Sequence, residues 1–187
     1  MGTSKEHIQI NVNEYVTLKE ICIDDAAEVF GVINTEREYL GKWLPFVQNT
    51  RSINDTIDFI TYSIAAAITM HELVFKITYK GEFAGLIGFR NADSQRRHIE
   101  LGYWLGEHFQ HKGIVSQCVT VVSKYIITHF GFGEVLIKCA VENFASRKIP
   151  ERTGFSFVKI EQQAEQLSDG SFTDIAVYSL KNQSFNR

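Results

Sequence analysis

The sequence has no apolar run long enough to span a bilayer. The stretch Ile60 to Ile68 is too short, and Thr61, Tyr62 and Ser63 interrupt it. Cysteine is scarce and odd in number. Cys22, Cys118 and Cys139 are the only three, and they stand far apart without the spacing of a metal site. An odd count with no signal peptide fits a reducing cytoplasm, so the expectation is a cytoplasmic protein with no metal and no membrane contact. Neither sign of charge dominates: 19 Lys and Arg face 22 Asp and Glu, for a net charge of −3. That balance argues against a general nucleic-acid binder. It also means that a polyanionic ligand must be held by local donors, because there is no global positive field. Repeats, low-complexity tracts and linkers are absent too. What is left is ordinary for a globular protein, at 44% hydrophobic and 22% charged residues in 187. The expectation is one domain over residues 1–187, with a loose lead-in over about 1–13 that holds at most a short strand.

The informative stretch is Ile99 to Ser116, I-E-L-G-Y-W-L-G-E-H-F-Q-H-K-G-I-V-S. Ile99 to Leu105 is rich in β-formers and reads as a central strand. Gly106 to Lys112 is a polar loop, closed by Gly113. Beyond it the period changes: Val115, Cys118, Val122, Tyr125 and Ile126 share one face, and Ser116, Gln117, Thr120, Lys124 and Thr128 the other, an amphipathic helix. A strand that feeds a glycine-containing loop into a helix start makes an anion site, because free N–H groups and the positive dipole end converge there. Neither G-x-G-x-x-G nor the Walker spacing is present, and one such glycine is by itself more often just a tight turn.

The rest of the chain supplies strands and helices around this stretch. Tyr15 to Ile21 reads as the first strand, and Asp24 and Asp25 as caps for a helix over Ala26 to Asn34. Arg37 to Val47 is too apolar for a surface loop, and reads as a short helix against the core that ends before Pro45. Ser52 or Asn54 opens a helix to about Thr69, with Ile53, Ile57, Ile60, Ile64 and Ala67 on its buried face. Glu72 to Tyr79 and Phe83 to Arg90 form a hairpin about Lys80-Gly81-Glu82, and Asn91 to Arg96 a polar turn. Gly131 and Gly133 stop the central helix, Val135 to Val141 is the next strand, and Asn143 caps a helix to about Thr153, ended by Gly154. Phe155 to Ile160 and Phe172 to Leu180 make a last hairpin around Ser168-Asp169-Gly170. This order gives a mixed sheet with helices on both faces, an α/β (α+β) fold.

Q-H-K-G-I-V, Gln110 to Val115, resembles the Q/R-x-x-G-x-G/A pyrophosphate loop of the GNAT superfamily of acetyl-CoA-dependent N-acetyltransferases. Gln110 and Gly113 match, and Val115 stands where a small residue is usual. The likeness runs from about Tyr15 to Leu180 and is greatest to RimJ/RimL-type ribosomal-protein N-acetyltransferases, which carry similar I-G-Y-W-L strands. It implies the GNAT fold, with a mostly antiparallel sheet that splays at the central strand. It implies acetyl-CoA as cofactor, held by Gln110, His111, Lys112, Gly113, Ile114, Val115 and Ser116. The strand residues Tyr103, Trp104 and Leu105 would pair with the pantetheine arm like a missing strand, and Asn143 would touch the same arm. It also makes Trp43, Leu44 and Phe46, in an L-x-x-W-L-P-like segment, a wall of the acceptor pocket.

Two residues are candidates for the chemistry. Many members carry a tyrosine acid four residues before the glycine at position 154, where this chain has Pro150; RimL-like members use a serine one turn after the asparagine, here Ser146. A serine hydroxyl can steady a departing thiolate, although local backbone bonding is the plainer role for a Ser in a first helical turn. Glu100 is the one acid in the apolar central strand and is the candidate base. The structural alternative is an ion pair with Arg90, Arg96 or Arg97. Cys118 and Cys139 fall at apolar positions, so the expectation is direct transfer with no cysteine intermediate. The expected acceptor is the N-terminal α-amine of a ribosomal protein or another peptide. A polyamine or aminoglycoside ranks second, because only Glu36 and Glu38 offer acids for a polycation. A CoA-binding sensor without catalysis is the rival of another class. A homodimer through Trp43 and Phe46 is a further expectation.

Overall fold

The computed structural model describes residues 7–93, 95 and 97–182. Eight strands form one sheet in the order β1-β2-β3-β4-β5-β6-β8-β7. The lead-in carries the short strand β1, Gln9–Asn11, and β2 is Val16–Glu20. The first hairpin pairs β3, Leu73–Tyr79, with β4, Glu82–Asp93. β5 is His98–Leu105, β6 Glu134–Ala140, β7 Ser156–Gln166 and β8 Phe172–Lys181. Among the described residues β5 and β6 are the single parallel pair, and they register only from His98 opposite Glu134 to Glu100 opposite Leu136. Past Glu100 the two strands part. The expected splay is therefore present, and the edges of Gly102 to Leu105 are left without a strand on that side.

One core packs β-sheet residues such as Phe75, Phe89, Leu101 and Tyr178 against α5, Ile114–Tyr125, through Ile114, Cys118, Val119 and Val122. α6, Phe144–Arg152, sits on the same face. The second core, on the opposite face, holds Ile21, Leu86 and Trp104 against α1, Ala26–Thr35, α2, Arg37–Gly41, α3, Phe46–Asn49, and α4, Ile53–Ile68. Alternation along β5 explains the division: Leu101 enters the first core and Trp104 the second. α5 runs on as a π-helical turn over Ile126–Phe130, and Gly131, at φ 66°, ends it in the left-handed region.

Several local expectations need correction. The helix expected to end before Pro45 does so, already at Gly41, and Pro45 then opens a second short helix as the cap of α3, where its fixed φ suits a helix start. The turn expected over Asn91 to Arg96 is shorter, because β4 continues to Asp93, while Arg96 lies outside the described residues. In α4 the buried face is Thr56, Ile60, Ser63 and Ala67; Ile53 and Ile64 are exposed. Ser52 caps this helix with Asp55 reaching back to its N–H.

Asp25 stands at the N-cap position of α1 as expected, but its side chain makes no capping bond there. Its carboxylate accepts from the Cys22 N–H at 2.9 Å and pairs with Lys76 of β3, whose Nζ also meets Glu28 at 3.1 Å. Burial disfavours the charge of Asp25, but the bonds from Lys76 and Cys22 outweigh it and hold the carboxyl below its ordinary value. A lowered carboxyl contributes stability that is present above the unfolded value and lost as pH falls through the folded one. Asp25→Asn is therefore expected to destabilise the protein by about 1–3 kcal/mol at pH 7. Thermal melts should show the difference from wild type shrinking as the pH drops through the acidic range; a difference independent of pH would refute the ion-pair account.

Candidate functional site

The parted strands open a cavity of about 510 Å³. Tyr103, Trp104 and Leu105 of β5 form one wall, and Gly113, Ile114, Val115 and Ser116 lie at the α5 end. Asn143, Ala145, Ser146, Lys148, Ile149 and Arg152 come from α6 and its cap. Tyr39, Leu40, Trp43 and Leu44 close the side of the second core. The structure thus brings together most of the residues that the sequence singled out.

The loop into α5 is built to present N–H groups. His111 has φ 60° and Gly113 φ 72°, two left-handed turns within three residues, and Gly113 is the helix cap. The free N–H groups of the first turn of α5 follow directly. The Ser116 hydroxyl oxygen is buried and has no hydrogen-bond partner. A buried donor left open beside a helix start suits a phosphate oxygen. Two loop side chains depart from expectation. Lys112 folds back, its Nζ 2.7 Å from the carbonyl of His108 and over the rings of Tyr79 and Phe109, and it does not line the cavity. The Gln110 side-chain amide donates to the Tyr39 hydroxyl, so any phosphate contact from Gln110 falls to its backbone.

Within the slot the Asn143 side chain accepts from the N–H of Ser146 at 3.1 Å and caps α6. The Ser146 hydroxyl lies 3.3 Å from the Tyr103 hydroxyl, and Tyr103 donates to the Ser146 carbonyl at 3.1 Å. Burial pushes the Tyr103 phenol well above its ordinary range, so it stays protonated. The helix is latched to the sheet by Arg147, which donates to the Tyr178 hydroxyl, which in turn donates to Glu151. Burial also lifts the Cys118 thiol to about 12 and the Cys139 thiol to about 11, values at which neither is a thiolate near neutral pH.

Glu100 does not line this cavity. It sits at the last position of β5 that pairs with β6, with Oε1 3.0 Å from Arg90 Nη2 and 3.2 Å from its Nε, and Oε2 3.9 Å from Lys138. Of the three arginines offered as partners Arg90 pairs with it, Arg97 donates to the Gly131 carbonyl, and Arg96 lies outside the described residues. Glu100 nevertheless shares its strand face with Gly102, where a Cβ would meet nothing within 4 Å. Trp43 packs on the same side, partly buried against Ala140, Ile175 and Val177. Phe46 is 41% exposed at the start of α3 and does not reach the cavity.

The sequence missed Glu165. It stands opposite Thr173 on this face of the sheet, and burial raises its carboxyl, Arg90 opposing and Glu100 adding to the shift. It also missed Tyr39, Leu40, Ala145, Lys148, Ile149 and Arg152. The α6 residues repeat as i, i+3, i+4 and i+7, a stripe that was open to view. Glu36 and Glu38, the acids considered for a polycation, are elsewhere: Glu36 accepts from the N–H of Glu107, and Glu38 lines a separate surface cavity with Arg37 and Arg51. No helix among the described residues is long and apolar enough to cross a membrane, and no cluster of metal-ligating side chains occurs among them.

Comparison with known proteins gives a consistent picture. The acetyltransferase (GNAT) domain family matches residues 16–156. YdaF of Bacillus subtilis (strain 168), named for ribosomal N-acetylation, is 30% identical over 145 residues, covering 77% of this chain and 79% of that one. The ribosomal-protein-serine acetyltransferase of Escherichia coli (strain K12) is 26% identical over 170 residues, covering 91% and 94%. Among solved structures, the microcin self-immunity acetyltransferase MccE, in complex with acetyl-CoA and AMP, superposes with a TM-score of 0.86 at 30% identity, covering 91% of this chain and 94% of its own.

Proposed function

The chain belongs to the GNAT acetyltransferase family and is an acetyl-CoA-dependent N-acetyltransferase, and we propose that its acceptor is the N-terminal α-amine of a ribosomal protein. The observation that carries this reading is the slot beyond Glu100, where the free edge of β5 and the Ser146–Tyr103 hydroxyl pair face one cavity. Two relatives are named for ribosomal-protein acetylation. The energetics agree. Deprotonating an α-amine at pH 7 costs roughly 1 kcal/mol, against about 4.6 for a lysine, so a weak base suffices for a chain terminus. A small polycation is less well served, since neither Glu36 nor Glu38 lines the cavity.

Acetyl-CoA supplies the acetyl thioester. The residues present fit it: the backbone of Gly113 to Ser116 and the open Ser116 hydroxyl for the pyrophosphate, the β5 edge at Tyr103 and Leu105 for the amides of the arm, with Asn143 beside them. Lys148 and Arg152 add positive charge to the same wall, which the net charge of −3 does not provide. Ser146 holds a proton at Oγ for the departing sulfur, and Tyr103 orients that hydroxyl. Glu100 accepts the proton of the incoming amine, directly or through water, while Arg90 fixes its carboxylate. Glu165, whose carboxyl is raised, is the second proton acceptor on that face. Direct attack by the amine needs no cysteine.

Purified ribosomal proteins incubated with acetyl-CoA and the enzyme should gain one acetyl group on an N-terminus, read by mass spectrometry of N-terminal peptides. Acetylation confined to polyamines would overturn the acceptor assignment. Failure with every amine would leave a CoA-binding sensor. Glu100→Gln retains size and hydrogen bonding but loses basicity. It is expected to lower kcat/KM by roughly 10²-fold with little change in acetyl-CoA affinity. Retained activity with a lower melting temperature would reduce Glu100 to the ion pair with Arg90, and the same comparison at Glu165→Gln would then identify the base.

A further inference from the structure

We propose that Glu36 and Tyr39 are positioning residues that fasten the acceptor side of the slot to the cofactor loop, so that acetyl-CoA and the acceptor bind cooperatively. This rests on the reading of Gln110 to Ser116 as the pyrophosphate site.

Glu36 lies at the junction of α1 and α2, and its side chain is only 18% exposed. One carboxylate oxygen accepts the N–H of Glu107 at 2.8 Å, and the other lies 3.6 Å from His108 Nδ1. Gly106 makes room for this contact, since a Cβ there would come within 3.3 Å of the carboxylate. Three residues on, the Tyr39 hydroxyl accepts from Gln110. Burial raises the Tyr39 phenol and the Gln110 bond partly offsets it. Helix α2 therefore grips both ends of the segment Glu107 to Gln110, which leads directly into the left-handed turns at His111 and Gly113.

The same helical stripe forms the opposite wall of the slot. Glu36, Tyr39, Leu40, Trp43 and Leu44 are spaced i, i+3, i+4, i+7 and i+8 and fall on one side of the turn. The N–H of Leu44 bonds to the Leu40 carbonyl at 3.0 Å, which extends the helical geometry past Gly41. Leu40, Trp43 and Leu44 line the cavity, and Trp43 rests on β6 and β8 beside the acceptor face. A ligand that fixes the loop thus fixes the helix that shapes the acceptor wall. Whatever ordering the first ligand completes, the second need not repeat, and linkage makes the effect reciprocal. The contacts come from residues 71 positions apart in sequence, and among the described residues neither the Glu36 nor the Tyr39 side chain has another polar partner that would explain its place.

The test measures coenzyme A binding by calorimetry with and without a saturating peptide that carries an accepted N-terminus. In the wild type the peptide should tighten coenzyme A at least about fivefold. In Tyr39→Phe and Glu36→Ala that ratio should fall towards one, and the acceptor KM should rise more than kcat falls. Tyr39→Phe removes one oxygen and retains the ring, so it serves if Glu36→Ala melts early. A wild-type ratio of one, or an unchanged ratio in both variants, would overturn the coupling. Gly113→Val separates the two readings: normal coenzyme A affinity there would remove the loop from the site, whereas lost affinity there beside unchanged coupling in the α2 variants would sink only the proposal made here.

Discussion

Ser146→Ala is expected to lower kcat by about 10²-fold while the dissociation constant of acetyl-CoA and the acceptor KM stay near wild type. Removing one preorganised donor from developing negative charge costs about 10²–10³ in kcat, and a donor that acts only as the C–S bond breaks adds nothing to ground-state binding. Nothing else in the slot replaces it. The position where many family members have a tyrosine is Pro150, buried inside α6. The neighbouring hydroxyl is Tyr103, 3.3 Å away, whose own proton goes to the Ser146 carbonyl. Since burial raises that phenol, Tyr103 remains a donor through the neutral pH range and orients Ser146. Tyr103→Phe should therefore slow the reaction less than Ser146→Ala, and the double variant should be no slower than Ser146→Ala alone, the pattern of two groups acting as a unit. Wild-type kcat in Ser146→Ala beside a slow Tyr103→Phe would move the donor to β5.

The parts of this site that were readable in the sequence are those set by local chain chemistry. Gly113, the change of period after it and the Asn143 cap each follow from backbone rules within a few residues, and all three stand where the sequence places them. The splay after Glu100 is different. It depends on where β5 and β6 stop pairing, which no composition or period encodes, and it was reached through resemblance. Long-range partners were the least legible. That Gln110 turns to Tyr39 and Glu36 to Glu107 depends on how α2 crosses the loop, so the loop was credited with side-chain donors that are engaged elsewhere. The α4 helix shows a subtler limit. Ile60 and Ala67 are buried where the stripe places them, but Thr56 and Ser63 are buried beside them while Ile53 and Ile64 are exposed. Hydrophobicity alone ranks those residues wrongly. Glu165 could be found only once β7 was in register with Thr173, since nothing in its neighbourhood sets it apart from Glu161.

Gly113→Val should raise the acetyl-CoA dissociation constant at least tenfold, about 1.4 kcal/mol. The cause is conformational and not a clash. Gly113 has φ 72° and ψ 5°, and a Cβ built there meets only Gln117 Nε2, at 3.6 Å. Space is available, but a β-branched residue in the left-handed region costs on the order of 1–2 kcal/mol. The chain can relieve that cost by rotating the peptide that joins the loop to α5. Doing so turns the first N–H groups of the helix away from the direction they share, and those groups are the anion site. The penalty therefore falls on the bound state, which needs the glycine geometry, more than on the free protein, which can relax. Gly113→Ala should give a smaller loss in the same direction, because alanine tolerates the left-handed region better than valine. Calorimetry with coenzyme A, alongside circular dichroism to confirm that α5 persists, reads the effect. Unchanged affinity in a folded Gly113→Val would mean that the phosphates do not rest on this turn, and would shift the charge-bearing contacts to Lys148 and Arg152 of α6.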